Sequence, residues 1–212
     1  EQNNMNTLKM REVLTTLPSF CKQFFRGIQD YTSSRTRLAY AYDLRVFFEF
    51  MHENNPYCNK VGITELPLSV LDHISREDIE EYMDYLTLYI KDGKEITNDE
   101  RGKKRKLSAL KSFYNYYYTS EQIKTNPAAL VPLPKLHEKE IIRLDADEVA
   151  TLLDQVEDGD KLTKRELVYH KKTRIRDVAL LTLLLGTGIR VSECVGLDLN
   201  DVDFKNNGIK IR

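Results

Sequence analysis

Between Asn126 and Pro134 the chain reads Asn-Pro-Ala-Ala-Leu-Val-Pro-Leu-Pro, three prolines in nine residues. Proline has no amide proton to give a helix and drives the residue before it into extended geometry, so no helix continues through this stretch. The segment from Lys135 to Arg143 alternates charges without helical periodicity and lengthens the break. Residues 125–143 are therefore read as an interdomain linker. It separates a helical domain at 8–124 from the start of a second domain at 144–212.

Each side of the break reads mainly as helix. Pro18 to Ile28 places Phe20, Phe24 and Ile28 on one side. Ser33 or Ser34 caps a helix whose apolar face is Leu38, Ala41, Leu44, Phe48 and Met51, with Arg37, Tyr40 and Asp43 opposite. Ser75-Arg-Glu-Asp78 is a capping box before Ile79, Met83, Leu86 and Ile90, and Gly93 stands where that helix should stop. Thr97-Asn-Asp-Glu100 is a second box, opening a long helix to about Thr119. After the break, Asp145-Ala-Asp-Glu148 caps a helix through Val149, Leu152, Leu153 and Val156. Ile175 to Leu185 is nearly all apolar and reads as a helix buried on most sides. Val202 and Phe204, then Asn206-Asn-Gly208, then Ile209 and Ile211 alternating with Lys210 and Arg212, predict a β-hairpin. The pattern stops where a sheet begins, so the expectation is a piece of a longer protein. The fold class expected is mainly α, with four or five helices followed by the opening of a mixed α/β domain.

Several function classes drop out. Three cysteines (Cys21, Cys58, Cys194) without a Cys-x-x-Cys pair make neither a disulfide framework nor a zinc site. Four histidines (His52, His73, His137, His170) lack metal-ligand spacing, so no metal is expected. The longest apolar run, Val178 to Leu185, is interrupted by Thr182 and falls far short of the ~20 residues of a membrane span. No basic-then-apolar signal opens the chain, and the expected location is cytoplasmic.

A formal net charge of −1 conceals segregation. From Glu65 to Glu100 there are 11 acids and three bases, whereas Gly102 to Tyr118 holds five bases (Lys103, Lys104, Arg105, Lys106, Lys111) and no acid. In the second run Leu107, Leu110, Phe113, Tyr114 and Tyr117 form a core stripe, and Lys104, Ser108, Lys111 and Asn115 line another face. Ammonium groups and hydroxyls along one face suit a helix lying across a phosphate backbone. Arg35, Thr36, Arg37 and Tyr40 add a second cluster beside a helix N-terminus that favours anions. The competing reading is two solvated faces that attract each other.

The sharpest local feature is Leu183-Leu-Leu-Gly-Thr-Gly-Ile-Arg-Val-Ser-Glu193. A helix ending at Gly186 would set Arg190 at the start of the next element, with Glu193 on the same face to orient it. A guanidinium is planar, permanently charged and able to bind two oxygens, which suits a phosphate gaining charge in a transition state. An ordinary surface pair of Arg190 and Glu193 is the alternative.

At these residues the sequence resembles the tyrosine recombinases, or phage integrase family, and its Xer-like bacterial members most closely. Gly186-Thr-Gly-Ile-Arg-Val-Ser-Glu-Cys-Val-Gly-Leu197 with Asn200-Asp-Val-Asp203 is similar to the family's first catalytic-arginine motif. Thr36 to Phe50 resembles the second helix of its core-binding domain, Lys106 to Tyr114 the DNA-tracking fourth helix, and Asn126-Pro-Ala the lead into its linker. The resemblance implies a SAM-like core-binding domain (8–124) and the N-terminal part of the catalytic domain (144–212), clamping double-stranded DNA. It implies strand exchange through a 3′-phosphotyrosyl link, with self-assembly on paired sites and neither metal nor cofactor. Arg190 matches the first phosphate-holding arginine and Glu193 its acidic support. Arg35, Thr36, Arg37, Tyr40, Lys104, Arg105, Lys106, Ser108 and Lys111 are the expected DNA contacts.

The sequence departs from the pattern in one respect. Its last tyrosine, Tyr169, precedes Arg190, whereas the family's nucleophile follows the arginine motif. The catalytic Lys, His, second Arg and Tyr are expected beyond Arg212. His73-Ile-Ser-Arg76 spells a His-x-x-Arg motif in the wrong domain. These 212 residues alone are thus expected to bind DNA without cleaving it. The alternatives are a truncated, non-catalytic protein occupying recombination sites, and a helical protein-interaction module without salt-dependent DNA affinity.

Overall fold

In the computed structural model, which describes residues 2–91, 93–137 and 143–211, the chain divides into two units, Glu1–Glu138 and Lys139–Arg212. Residues 138–142 of the stretch read as a linker, and Arg212 of the expected hairpin, lie outside the described residues.

The first unit is helical. It comprises α1 (Gln2–Leu14), α2 (Cys21–Gly27), α3 (Ser34–Asn54), α4 (Arg76–Tyr85), the strands β1 (Leu88–Lys91) and β2 (Lys94–Thr97), α5 (Glu100–Thr119) and the single turn α6 (Pro127–Leu130). Ser33 caps α3 by accepting from the Thr36 amide at 3.1 Å. Ala41, Leu44, Phe48 and Met51 are buried as their spacing predicts, and Val46, Phe47 and Phe50 join them because α3 packs against α1, α4 and α5. Helix α1 had no expectation attached. It is polar at its start and buries only Asn6, Met10, Val13 and Leu14, with the Asn6 amide donating to Ser34 Oγ. Phe113 on α5 is the hub of the core, meeting Phe24 edge-on at 5.1 Å and Tyr117 at 5.2 Å. Such pairs add roughly 0.5–1.5 kcal/mol beyond the area they bury. Tyr117 also donates its hydroxyl to the Phe20 carbonyl at 2.6 Å.

Two expectations in this unit are corrected. The helix opened by the Ser75–Asp78 capping box ends at Tyr85 instead of running to Gly93. An antiparallel hairpin follows, pairing Leu88 with Thr97 and Lys91 with Lys94, and Ile90 lies on its exposed side. The Leu-Tyr-Ile run favours a strand, and Asp-Gly at 92–93 is a hairpin turn signal, with Gly93 at φ 71°. Because Thr97 belongs to β2, Asp99 caps α5, accepting from the Gly102 amide at 2.8 Å. Within the proline-rich stretch a single helical turn forms. Asn126 caps α6 with proline at its first position, where the missing amide proton costs nothing, and Ala128 and Val131 enter the core.

The second unit contains α7 (Ala146–Asp158), α8 (Lys164–Thr187), α9 (Val191–Val195) and a short antiparallel pair, β3 (Val202–Asp203) with β4 (Gly208–Ile209). The capping box of Asp145 and Glu148 opens α7 as read. The apolar part of α8 is not buried on most sides: α7 packs along it, and Ile175 stands 80% exposed. Its C-terminal left-handed residue is Gly188, φ 67°, while Gly186 is still helical. The last hairpin forms, with Asn207 taking the left-handed turn position and Gly208 already in β4. The chain is thus mainly α with small antiparallel sheets.

Among the described residues no group of three or more His, Cys, Asp or Glu side chains could hold a metal ion. No described helix is long and apolar enough to cross a membrane. Cys21, Cys58 and Cys194 are free thiols, and burial pushes the Cys58 thiol up to about 11. His73 of the His-x-x-Arg spelling stacks on Tyr57, and Arg76 pairs with Glu80 on its own helix.

Candidate nucleic-acid interface

The two candidate clusters of the first unit lie on α3 and α5, which pack directly on each other. On α5 the core stripe of Leu107, Leu110, Phe113, Tyr114 and Tyr117 is buried throughout, and this fixes which side of the helix faces water. Lys104, Ser108 and Lys111 are half-exposed on that side, and Asn115 is exposed. Ser108 donates back to the Lys104 carbonyl at 2.8 Å, a local bond that leaves its oxygen lone pairs outward. Lys111 reaches the Ala129 carbonyl of α6 at 3.3 Å, so α6 borders this strip on one flank.

Asp43 of α3 forms the other flank. Expected on the outward face of its helix with Arg37 and Tyr40, it is instead 2% exposed, and it pairs with both Arg105 and Lys106. Burial pushes the Asp43 carboxyl up, and the Lys106 and Arg105 cations pull it back. Lys106, 8% exposed, is thereby turned inward as a structural counterion, while Arg105 keeps about half its side chain in water. One carboxylate between two cations leaves the cluster cationic. The hydrophobic pattern could not reveal this, because α3 packs over more than its apolar stripe and takes Asp43 in with Phe47.

At the start of α3, Arg35 is exposed and Thr36, Arg37 and Tyr40 are half-buried. The Thr36 hydroxyl lies 2.9 Å from Ser33 Oγ, tying it to the cap. Arg37 Nε is buried without a hydrogen-bond partner among the described residues, and Tyr40 packs on the core. Among the described residues no ion pair joins the acids of α4 to the bases of α5; Lys103 instead donates to Thr87 Oγ1.

In the second unit the left-handed Gly188 ends α8, its amide donating to the Leu184 carbonyl at 3.0 Å, and the chain turns sharply into α9. Arg190 is the residue immediately before that helix. One Glu193 oxygen accepts the Arg190 backbone amide at 2.8 Å, and the other accepts Nη1 at 2.7 Å. These bonds from the Arg190 amide and guanidinium hold the Glu193 carboxyl below its ordinary range. The Arg190 side chain is 81% exposed. The arrangement is a fixed cation with an oriented fork, open to an anion from solvent.

Residues 142–212 match the family model for the phage integrase family. The tyrosine recombinase XerC of Caldanaerobacter subterraneus is 30% identical over 178 residues, 80% of this chain and 45% of that protein. XerS of Streptococcus mutans is 29% identical over 219 residues, covering 92% of this chain and 61% of its own length. Residues 142–212 belong to the phage integrase family, and the chain as a whole is similar to its Xer-type members. XerC of Chlorobaculum tepidum is a further relative, 30% identical over 84% of this chain and 51% of its own length. The chain thus spans about half the length of these curated relatives. No solved structure matches it significantly.

Proposed function

We propose that the chain belongs to a site-specific DNA recombinase, with residues 8–124 as a DNA-binding domain, 125–143 as a linker and 144–212 as the opening of the catalytic domain. Double-stranded DNA is the partner, bound as a clamp, with self-assembly on paired sites in the cytoplasm. The observation that carries the reading is the Arg190–Glu193 pair, held in both its backbone and side-chain bonds inside the segment that matches the family.

In this mechanism the α5 strip of Lys104, Ser108 and Lys111, with Arg105 beside it and Arg35, Thr36, Arg37 and Tyr40 at the α3 start, lies along the phosphate backbone. Lys106 supports that strip from inside by neutralising Asp43. Arg190 holds the scissile phosphate and Glu193 keeps its guanidinium in one orientation. A tyrosine oxygen then attacks the phosphorus and gives up its phenolic proton. The bond from phosphorus to the 5′ oxygen breaks and that oxygen takes up a proton, and the 3′-phosphotyrosyl link conserves the phosphodiester for rejoining. Tyr169 precedes Arg190 and stands on the exposed side of α8, and it is not assigned the nucleophile's role in this reading.

Anisotropy titration of a labelled duplex tests the binding. Affinity should fall steeply with salt, with a log–log slope of several units, because each neutralised phosphate contributes about 0.9. A flat response refutes the reading. In a version carrying the later tyrosine, Arg190→Ala should leave duplex affinity nearly intact. It should slow suicide-substrate cleavage by two to three orders of magnitude, the cost of about 3–4 kcal/mol for one lost oxyanion donor.

A further inference from the structure

The first half of α8 carries a charge pattern that the arginine motif does not use. Lys164, Arg165, Lys171 and Lys172 are all exposed, on a helix whose other side packs on α7. They repeat at seven residues, so Lys164 with Lys171 and Arg165 with Lys172 form two rows, each spanning about 10 Å of helix. Between the rows stands Val168, 59% exposed.

The nearby carboxylates are spoken for. Glu166 accepts the Thr163 amide at 2.8 Å and the Thr163 hydroxyl at 2.7 Å, closing the helix cap. Asp177 accepts two bonds from Arg176, at 2.9 and 2.7 Å. Arg174 shares a small cleft with Glu157. Among the described residues no acid pairs with any of the four cations in the two rows. Four uncompensated charges on about two turns raise the local potential and draw a polyanion. The spacing favours a regular one, since two parallel rows can each follow a line of phosphates while the short apolar strip between them meets sugar carbons.

We infer that Lys164, Arg165, Lys171 and Lys172 form a phosphate-binding strip for duplex nucleic acid on the unit that holds Arg190. The inference deepens the DNA-binding reading given above and rests on it. It assigns α8 a share of the interface separate from the α5 strip.

The test compares salt dependence of duplex affinity for the 212-residue chain and three variants. Neutralising both rows (K164Q/R165Q/K171Q/K172Q) should lower the log–log slope by about two to four units, at about 0.9 per phosphate released. A smaller change overturns the inference. The charge-preserving variant K164R/K171R/K172R should keep the wild-type slope, and its losing that slope would show that packing, not charge, is being read, which also overturns it. Thermal melts confirm that the exposed substitutions leave folding unchanged. The variant K104Q/K111Q separates the two claims. If it lowers the slope and the α8 variant does not, only the α8 strip is wrong; if the wild-type chain binds no duplex, the wider reading falls. Loss of binding to phosphatidylserine vesicles with an unchanged DNA slope would point to a lipid surface and overturn the strip.

Discussion

Asp43 and Lys106 illustrate how one side chain decides the role of another. Buried Lys106 has Asp43 as its counterion at 3.3 Å, and Arg105 holds the carboxylate from the water side. Asp43→Ala should therefore destabilise the first unit by about 3 kcal/mol in urea melts, because removing one partner of a buried pair strands the other. Adding Lys106→Met should recover most of that loss. Glu193 offers a second residue-level test. Its carboxyl is held below its ordinary range by the Arg190 amide and guanidinium. A carboxyl depressed in this way stabilises the fold at pH above its unfolded value and gives that up as pH falls through its folded one. Carbon NMR should place its titration midpoint below that of an ordinary glutamate, and Arg190→Gln should move it upward.

At the scale of elements, caps and stripes were legible and their endpoints were less so. Ser75 and Asp145 cap their helices as the pattern predicts, and of the two serines open for α3 it is Ser33 that caps, since a short side-chain oxygen three residues before an amide is local chemistry. The span from Leu86 to Gly93 was misread because Leu86 and Ile90 fit helical spacing, while Leu88-Tyr-Ile before Asp-Gly fits a strand equally well. Tertiary contact broke the tie: Tyr89 stacks on Tyr85, and Lys91 pairs with Glu49 of α3 at 2.5 Å. Similarly, Gly186 and Gly188 are equivalent on paper, and only the helix length selects Gly188 for positive φ. Gly188→Val should cost about 1–2 kcal/mol, from backbone strain alone since nothing crowds its Cβ position, whereas Gly188→Asn should cost less. Gly186→Ala should be neutral or slightly stabilising. Thermal melts of the three variants check the ranking.

Across the whole molecule, burial is distributed very unevenly. The hydrophobic core cluster lies entirely between Met10 and Val131, and neither α7 nor α8 contains a buried residue. Local opening free energy follows buried apolar contact, so amide exchange of the 212-residue chain should be slowest in α3 and α5 and faster by orders of magnitude in α8. Comparable protection in both would contradict the burial pattern. The basic run of α5 is partly compensated inside the fold, with the buried Asp43 of α3 pairing with two of that helix's six bases. The candidate site was legible as a motif, but its geometry was not, because the bond from the Arg190 amide to Glu193 exists only once α9 has started. That bond has a consequence for encounter with an anion. With one hydrogen of Nη1 committed to Glu193 and the rest of the guanidinium in water, an incoming oxyanion finds donors still open to it and need not displace the carboxylate.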